Sequence, residues 1–354
     1  MQFKLLGRSG LRVSELALGT MTFGTDWGWG ADSQEARRIF DTYIDRGGNF
    51  IDSANQYTNG AAERLTGEFA AGKRDRLVLA TKYTLATRDG DPNSGGNHRK
   101  SMVRSVEESL ERLNTDYIDL LYLHIWDDTT PVEEILRAMD DLVRSGKLLY
   151  VGISDTPAWQ VSRMQAIAEL RGWSPLIALQ IEYSLIERTV ERDLIPMARE
   201  MGLGVVPWSP LASGVLAGKY SRADLEPGGG PAGAVGTRKD IAVANGALTE
   251  RGLAIADVVR GVAKEIGNTP SQVALAWTML NPAVAAPIIG ARTLAQLEDN
   301  LGALEVKLTG EQRARLETAS AVELGFPHDF LARPLTRTVT FRNMQIPARR
   351  GVGA

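Results

Sequence analysis

The chain contains no cysteine. Disulfides, thiolate nucleophiles and zinc sites built on Cys are therefore excluded. Histidine is nearly as scarce: His98, His124 and His328 are the only three. That leaves little for a His-rich metal centre, and no metal is expected. No apolar run reaches the roughly 18 residues that a membrane helix needs, so no membrane partner is expected. The opening segment, MQFKLLGRSGLRVSEL, lacks the apolar core and small-residue cleavage site of a signal peptide. The expected location is the cytoplasm. A net charge of −3 gives no electrostatic reason to expect nucleic acid or an anionic membrane as partner.

What is present is a sizeable apolar fraction, 44% of 354 residues, enough for one large α/β core. A short apolar run followed by an amphipathic segment recurs along the chain. LALG (16–19) precedes a helical stretch at 33–46, in which Ala36, Ile39, Phe40, Tyr43 and Ile44 share one face and Asp32 with Glu35 reads as a capping box. FID (50–52), LVLATKY (77–83), IDLLYLH (118–124), LLYVGIS (148–154), LIALQIEY (176–183), LGVVPWS (203–209) and VAAPIIG (284–290) follow in the same rhythm. Thr130-Pro131-Val132-Glu133 reads as a cap with Pro at the first helical position, and Thr269-Pro270-Ser271-Gln272 as a second N-cap.

Continuous apolar strands alternating with helices imply parallel strands buried on both faces. Eight such units over roughly 290 residues predict a closed (β/α)₈ TIM barrel. Residues 3–6 and 11–13, around Gly7-Arg8-Ser9-Gly10, predict an N-terminal β-hairpin that plugs one barrel end. The segment 217–249 contains SRADLEPGGGPAGAVG and predicts a long functional loop after strand seven. The barrel is expected over 1–326, with 327–354, rich in Arg and poor in periodicity, as a C-terminal extension.

Catalytic groups of such barrels sit at the C-terminal strand ends and in the loops just after them. Four polar residues stand there. Asp52 ends the second strand, Tyr57 lies in the loop after it, Lys82 is near the end of the third strand, and His124 ends the fourth. Each alone has an ordinary explanation: a helix cap, loop packing, a solvated cation, a satisfied core imidazole. Their arrangement on adjacent strand ends is the signal, because a buried Lys needs a partner and Asp52 is in place to supply it. A Tyr, whose ordinary pKa is about 10, becomes a usable acid when a Lys⁺ stabilises the phenolate, so a lowered Tyr57 pKa is expected. Such a set protonates a carbonyl oxygen while hydride arrives at carbon.

The motifs GGNFIDSANQYTNGAAERLTGE (47–68), LATKY (79–83) and YLHIWD (122–127) resemble the aldo-keto reductase superfamily. The likeness runs from LLGRSGLRVSELALGTMTFG (5–24) to about residue 303. GGNHRKSMVRSVEESLERLNTDYIDLLYLHIWD (95–127) is most similar to the bacterial, aryl-alcohol-dehydrogenase-like branch. The resemblance implies a catalytic tetrad of Asp52, Tyr57, Lys82 and His124. It also implies NADPH as cofactor, with NADH less favoured, and an alcohol dehydrogenase or carbonyl reductase activity on a small carbonyl or alcohol substrate. The oligomeric state stays open.

The one formal dinucleotide fingerprint, Gly228 to Gly233, follows SRADLEP rather than a strand and contains Pro231, so a Rossmann site is not expected. The resemblance implies another arrangement. Trp208, opening WSPLASGVLAGKY (208–220), stacks on nicotinamide. Ser209, Leu211, Ser213, Gly214 and Leu216 line the pyrophosphate. Ser154, Asp155 and Gln180 meet the carboxamide, although the family usually has Asn where Asp155 stands, and Asp accepts but cannot donate. GARTLAQLEDN (290–300) matches the 2′-phosphate motif, with Arg292 on the phosphate and Gln296 and Asn300 facing the adenine. Other implied cofactor contacts are Thr20, Met21, Asp52, Pro210, Lys219, Ile289, Gly290, Ala291 and Asp299. Some relatives carry Lys or a second Arg where Gly290 and Gln296 stand, so selection for NADPH rests mainly on Arg292. On the substrate side, Trp27, Trp29 and Trp126 predict an apolar wall around Tyr57 and His124. His98 and the 221–249 loop are further candidates. The rival readings are a cofactor-loaded regulatory subunit and a (β/α)₈ hydrolase or isomerase. The absence of a placed carboxylate pair and of a metal constellation counts against the second.

Overall fold

The computed structural model describes residues 1–225, 238–342 and 344. Eight parallel strands form the predicted barrel: β1 (Ala17–Gly19), β2 (Phe50–Asp52), β3 (Val78–Tyr83), β4 (Ile118–Leu123), β5 (Leu148–Ser154), β6 (Leu176–Glu182), β7 (Gly204–Trp208) and β8 (Ile288–Gly290). β8 pairs with β1, and the order then follows the sequence to β7. The ring closes through a parallel bridge between Val205 of β7 and Val284, just before β8. The eighth apolar run was expected to be strand from 284, but the ladder to β1 covers only Ile288–Gly290. Pro287 lies between bridge and ladder, and proline has no N–H to give.

Two apolar layers result. Side chains alternate along each strand, so Phe50, Val78, Ala80, Leu120, Tyr122, Ala178 and Val206 fill the barrel interior. Ile51, Leu79, Leu121, Leu179 and Val205 face outward to the helices. The same alternation carries Asp52, Lys82, Gln180 and Trp208 inward at the top of the barrel, each two residues beyond an interior apolar side chain.

The helix signals had mixed outcomes. Thr269 and Gln272 form a reciprocal capping box on the helix Pro270–Met279, with Pro270 at its start. Asp32 caps the helix Ser33–Asp45, but Glu35 does not return the bond. Its carboxylate instead accepts from the Leu294 N–H at 2.6 Å and pairs with Arg38. Thr130 is not a cap either. Pro131 holds that position for the helix Val132–Arg144, while the Thr130 hydroxyl donates to Asp127.

The hairpin Phe3–Leu5 and Arg12–Ser14 seals the N-terminal end of the barrel. Leu6 and Val13 join the interior layer. Lys4 donates to the Val284 carbonyl at 3.1 Å and the Arg8 N–H to that of Gly202 at 2.8 Å. Beyond residue 326 the chain forms two helices, His328–Leu331 and Pro334–Phe341; His328 meets Asp193, and Arg192 donates to the Phe326 carbonyl just before them. The Gly228–Gly233 segment lies outside the described residues. No helix among those described is long and apolar enough to cross a membrane.

Gly7 turns the plug into the barrel. Its φ is +57°, and a Cβ there would stand 2.2 Å from the Ile177 carbonyl oxygen and 2.6 Å from that of Gly202. Left-handed backbone alone costs a non-glycine residue about 1–2 kcal/mol. Gly7→Ala should therefore lower stability by more than that in urea unfolding; an unchanged midpoint would show that the plug is not docked in this way.

Candidate active site at the barrel mouth

The structure brings Asp52, Tyr57, Lys82 and His124 together at the C-terminal strand ends. Lys82 is fully buried and Asp52 almost so. The three N–H groups of the Lys82 ammonium are all engaged. They donate to Asp52 Oδ1 at 2.5 Å, the Ser53 carbonyl at 2.6 Å and Tyr57 Oη at 3.2 Å. The second Asp52 oxygen accepts from Gln180 Nε2 at 2.8 Å. The Asp52 carbonyl accepts from the Thr20 N–H and hydroxyl. Burial pulls the Lys82 ammonium toward deprotonation, but Asp52 and Tyr57 together outweigh it and hold its pKa above the ordinary lysine value.

Tyr57 is presented by a strained turn. Thr58 (φ 46°, ψ 46°) and Asn59 (φ 53°, ψ 38°) are both left-handed, followed by Gly60 at φ 83°. A β-branched residue rarely adopts this region. Thr58 is held there because its hydroxyl donates to the Phe23 carbonyl at 2.7 Å and accepts from the Ala62 N–H at 3.0 Å.

The expectation of a lowered Tyr57 pKa is corrected. Burial raises it, Lys82 opposes, and the net direction is upward. Tyr57 is thus a protonated phenol at neutral pH. His124 stands edge-on to it with ring centroids 5.9 Å apart. Burial first, and Lys82 second, push the His124 pKa well below the usual value, so its imidazole is neutral. His124 Nδ1 is buried without a hydrogen-bond partner among the described residues.

A cavity of about 880 Å³ opens over this group. Most of the expected residues line it. Trp27, Trp29, Tyr57 and His124 stand on one side, and Met21, Asp52, Ser154, Asp155, Gln180 and Trp208 at the strand ends. Ser209, Pro210, Leu211, Ser213, Gly214 and Lys219 line it along the loop after β7, and Ile289, Gly290, Arg292, Gln296, Asp299 and Asn300 after β8. Lys82, Thr20, Leu216 and Ala291 are buried beneath the wall rather than in it. Trp126 does not reach the cavity and packs on the outer apolar layer. His98 caps the helix Arg99–Leu113 and also stays outside. Sequence reasoning missed Gly19, Thr22, Gln56, Leu85, Ala217, Ser271 and Ile288. It named the 221–249 loop without singling out Ile241 and Asn245, which line the cavity. Ser271 was hidden inside an N-cap signature.

The residues present fit a nicotinamide dinucleotide. Trp208 offers a flat, half-buried face. Ser154 Oγ is buried without a partner among the described residues, as suits a site that awaits a polar ligand. Arg292 has no ion-pair partner among the described residues, and its backbone is pinned where its N–H donates to Gln296 Oε1 at 2.9 Å.

A buried ammonium depends on its counter-ion. Removing one partner of such a pair costs about 3–5 kcal/mol. Asp52→Ala should destabilise by that amount in chemical denaturation, and adding Lys82→Met should recover most of it. A cost near zero for Asp52→Ala, or no recovery in the double variant, would show that the pair is not coupled.

The chain is 37% identical over 344 residues to the norsolorinic acid reductase of Aspergillus flavus, covering 94% of this chain and 84% of the relative. It is 41% identical over 323 residues to the uncharacterized oxidoreductase YrpG of Bacillus subtilis, covering 88% and 93%. It is 36% identical over 334 residues to an aryl-alcohol dehydrogenase [NADP(+)] of Phanerodontia chrysosporium, covering 90% and 86%. The model of the Aldo/keto reductase family matches residues 15–321, from the first barrel strand past the last. Barrel, cavity and sequence agree, and the chain belongs to the aldo/keto reductase family.

Proposed function

We propose that this chain is an NADP(H)-dependent oxidoreductase that interconverts an aldehyde or ketone and its alcohol, with Tyr57 as general acid and base. Residues 1–326 act as one barrel unit, with 327–354 appended. The observation that carries the reading is the Lys82 ammonium at 3.2 Å from Tyr57 Oη, beneath a cavity wall that holds Tyr57, Trp208 and Arg292. A relative at 36% identity is named for NADP(+), which supports the choice of cofactor.

When bound, the nicotinamide supplies hydride to the carbonyl carbon. Tyr57 Oη delivers the proton to the carbonyl oxygen, so aldehyde or ketone becomes alcohol and the phenol becomes phenolate. Lys82, held by Asp52, stabilises that phenolate. Neutral His124 directs a ring N–H at the same oxygen and orients the carbonyl. Because Tyr57 keeps its proton at neutral pH, it is ready as an acid before substrate arrives. In the alcohol-oxidising direction the same group removes the proton. Trp27 and Trp29, whose centroids are 5.7 Å apart, form an aromatic wall suited to a flat, apolar substrate. Aryl aldehydes and aryl alcohols are the proposed class, in line with the names of the relatives.

Two measurements test this reading. Tyr57→Phe should lower the rate of NADPH-dependent aldehyde reduction by about 10²–10⁴-fold and leave NADPH binding nearly unchanged; full activity would remove Tyr57 from the acid role. Arg292→Ala should weaken NADPH by about 1.5–3 kcal/mol, the loss of a charged hydrogen bond, and NADH hardly at all. Equal losses for both would place Arg292 away from the 2′-phosphate. Absence of turnover over a panel of aryl aldehydes, with NADPH bound, would favour the regulatory-subunit reading instead.

A further inference from the structure

The charges at the nicotinamide end of the cavity do not cancel. Lys82 is matched by Asp52 at 2.5 Å. Asp155 also lines the cavity and opens into it, yet it has no ion-pair partner among the described residues. Its carboxylate accepts instead from the neutral indole, Trp208 Nε1, at 3.0 Å. Arg292, the cation proposed for the phosphate, lies after β8 rather than beside Asp155.

Asp155 is also rigidly placed. Its φ is +39°, a left-handed conformation that Asp and Asn tolerate better than most residues. Its N–H donates to the Gln180 carbonyl at 3.3 Å, and its own carbonyl accepts from the Trp126 N–H at 3.4 Å. The carboxylate is therefore fixed against the indole proposed to stack on the nicotinamide. That ring is cationic when oxidised and neutral when reduced.

We propose that Asp155 sets the protein's preference between the two charge states of the nicotinamide, stabilising the cationic oxidised ring and not the neutral reduced one. The inference rests on the cofactor assignment made above. It gives a carboxylate at this position a task other than donating to the carboxamide, which it cannot do. An anion fixed at 3.0 Å from the indole that would stack on the ring acts across a partly protein-walled space, where the effective dielectric is below that of water. The preference for the oxidised form lowers the free energy of the alcohol-side complex relative to the carbonyl-side one, and so favours reduction on the protein. Burial raises the Asp155 pKa above the ordinary carboxylate value, and the Trp208 hydrogen bond, Lys82 and Ser154 offset that only in part.

The test is equilibrium fluorescence titration of the full chain with NADP⁺ and with NADPH, for the wild type, Asp155→Asn and Trp208→Phe. Asn keeps an oxygen for the indole and accepts the left-handed backbone, so the fold is retained. The wild type should bind NADP⁺ more tightly relative to NADPH than Asp155→Asn does. The ratio of the two dissociation constants should shift by about tenfold, equivalent to about 1.4 kcal/mol. Trp208→Phe, which removes the ring packing and the indole hydrogen bond together, should weaken both forms. A ratio unchanged in Asp155→Asn overturns the inference while leaving the cofactor assignment standing. Failure of the wild type to bind either form removes the cofactor assignment and this inference with it.

Discussion

The contact between Lys82 and Asp52 is the constraint on which the rest of the mouth depends. An ammonium at the heart of a barrel is tolerable only with a counter-ion and a full set of acceptors. Asp52, Ser53 and Tyr57 supply them, and each arrives by a different route. Strand alternation turns Asp52 inward, the next residue brings its carbonyl, and a left-handed turn brings the phenol. Gln180 then braces the far side of Asp52 from β6. The result is a set of polar groups that satisfy one another and leave Tyr57 Oη and His124 facing the cavity.

Much of this was legible in the sequence, for a physical reason. Parallel strands buried on both faces read as continuous apolar runs, and polar residues at their C-terminal ends stand out against them. Asp52, Lys82 and His124 could be placed that way, and the barrel with its plug followed from the count and order of units. Capping was legible only where it stayed local. Thr269 and Gln272 found each other three residues apart. Glu35 was claimed by a backbone N–H 259 residues away, and no local pattern signals that.

The electrostatics were less legible than the geometry. Proximity of Lys82 to Tyr57 argues for a lowered phenol pKa, but burial acts on the same group in the opposite sense and prevails. The depth of a loop residue cannot be read from its neighbours in sequence. Trp126 failed for a related reason: it lies two residues from His124, yet the loop turns it onto the outer layer. The left-handed pair Thr58 and Asn59 is equally hidden, since a threonine gives no warning of that conformation.

The hairpin at the bottom has a consequence for traffic. Leu6 and Val13 fill the far end of the barrel interior, so whatever enters or leaves the reaction chamber shares one doorway at the top. A molecule seated deep against the strand ends would be overlain by anything that followed it through the same opening. Trp27 and Trp29 stand on one side of that opening, with Trp27 beside Tyr57. Sealing one end of the barrel thereby confines exchange to the other.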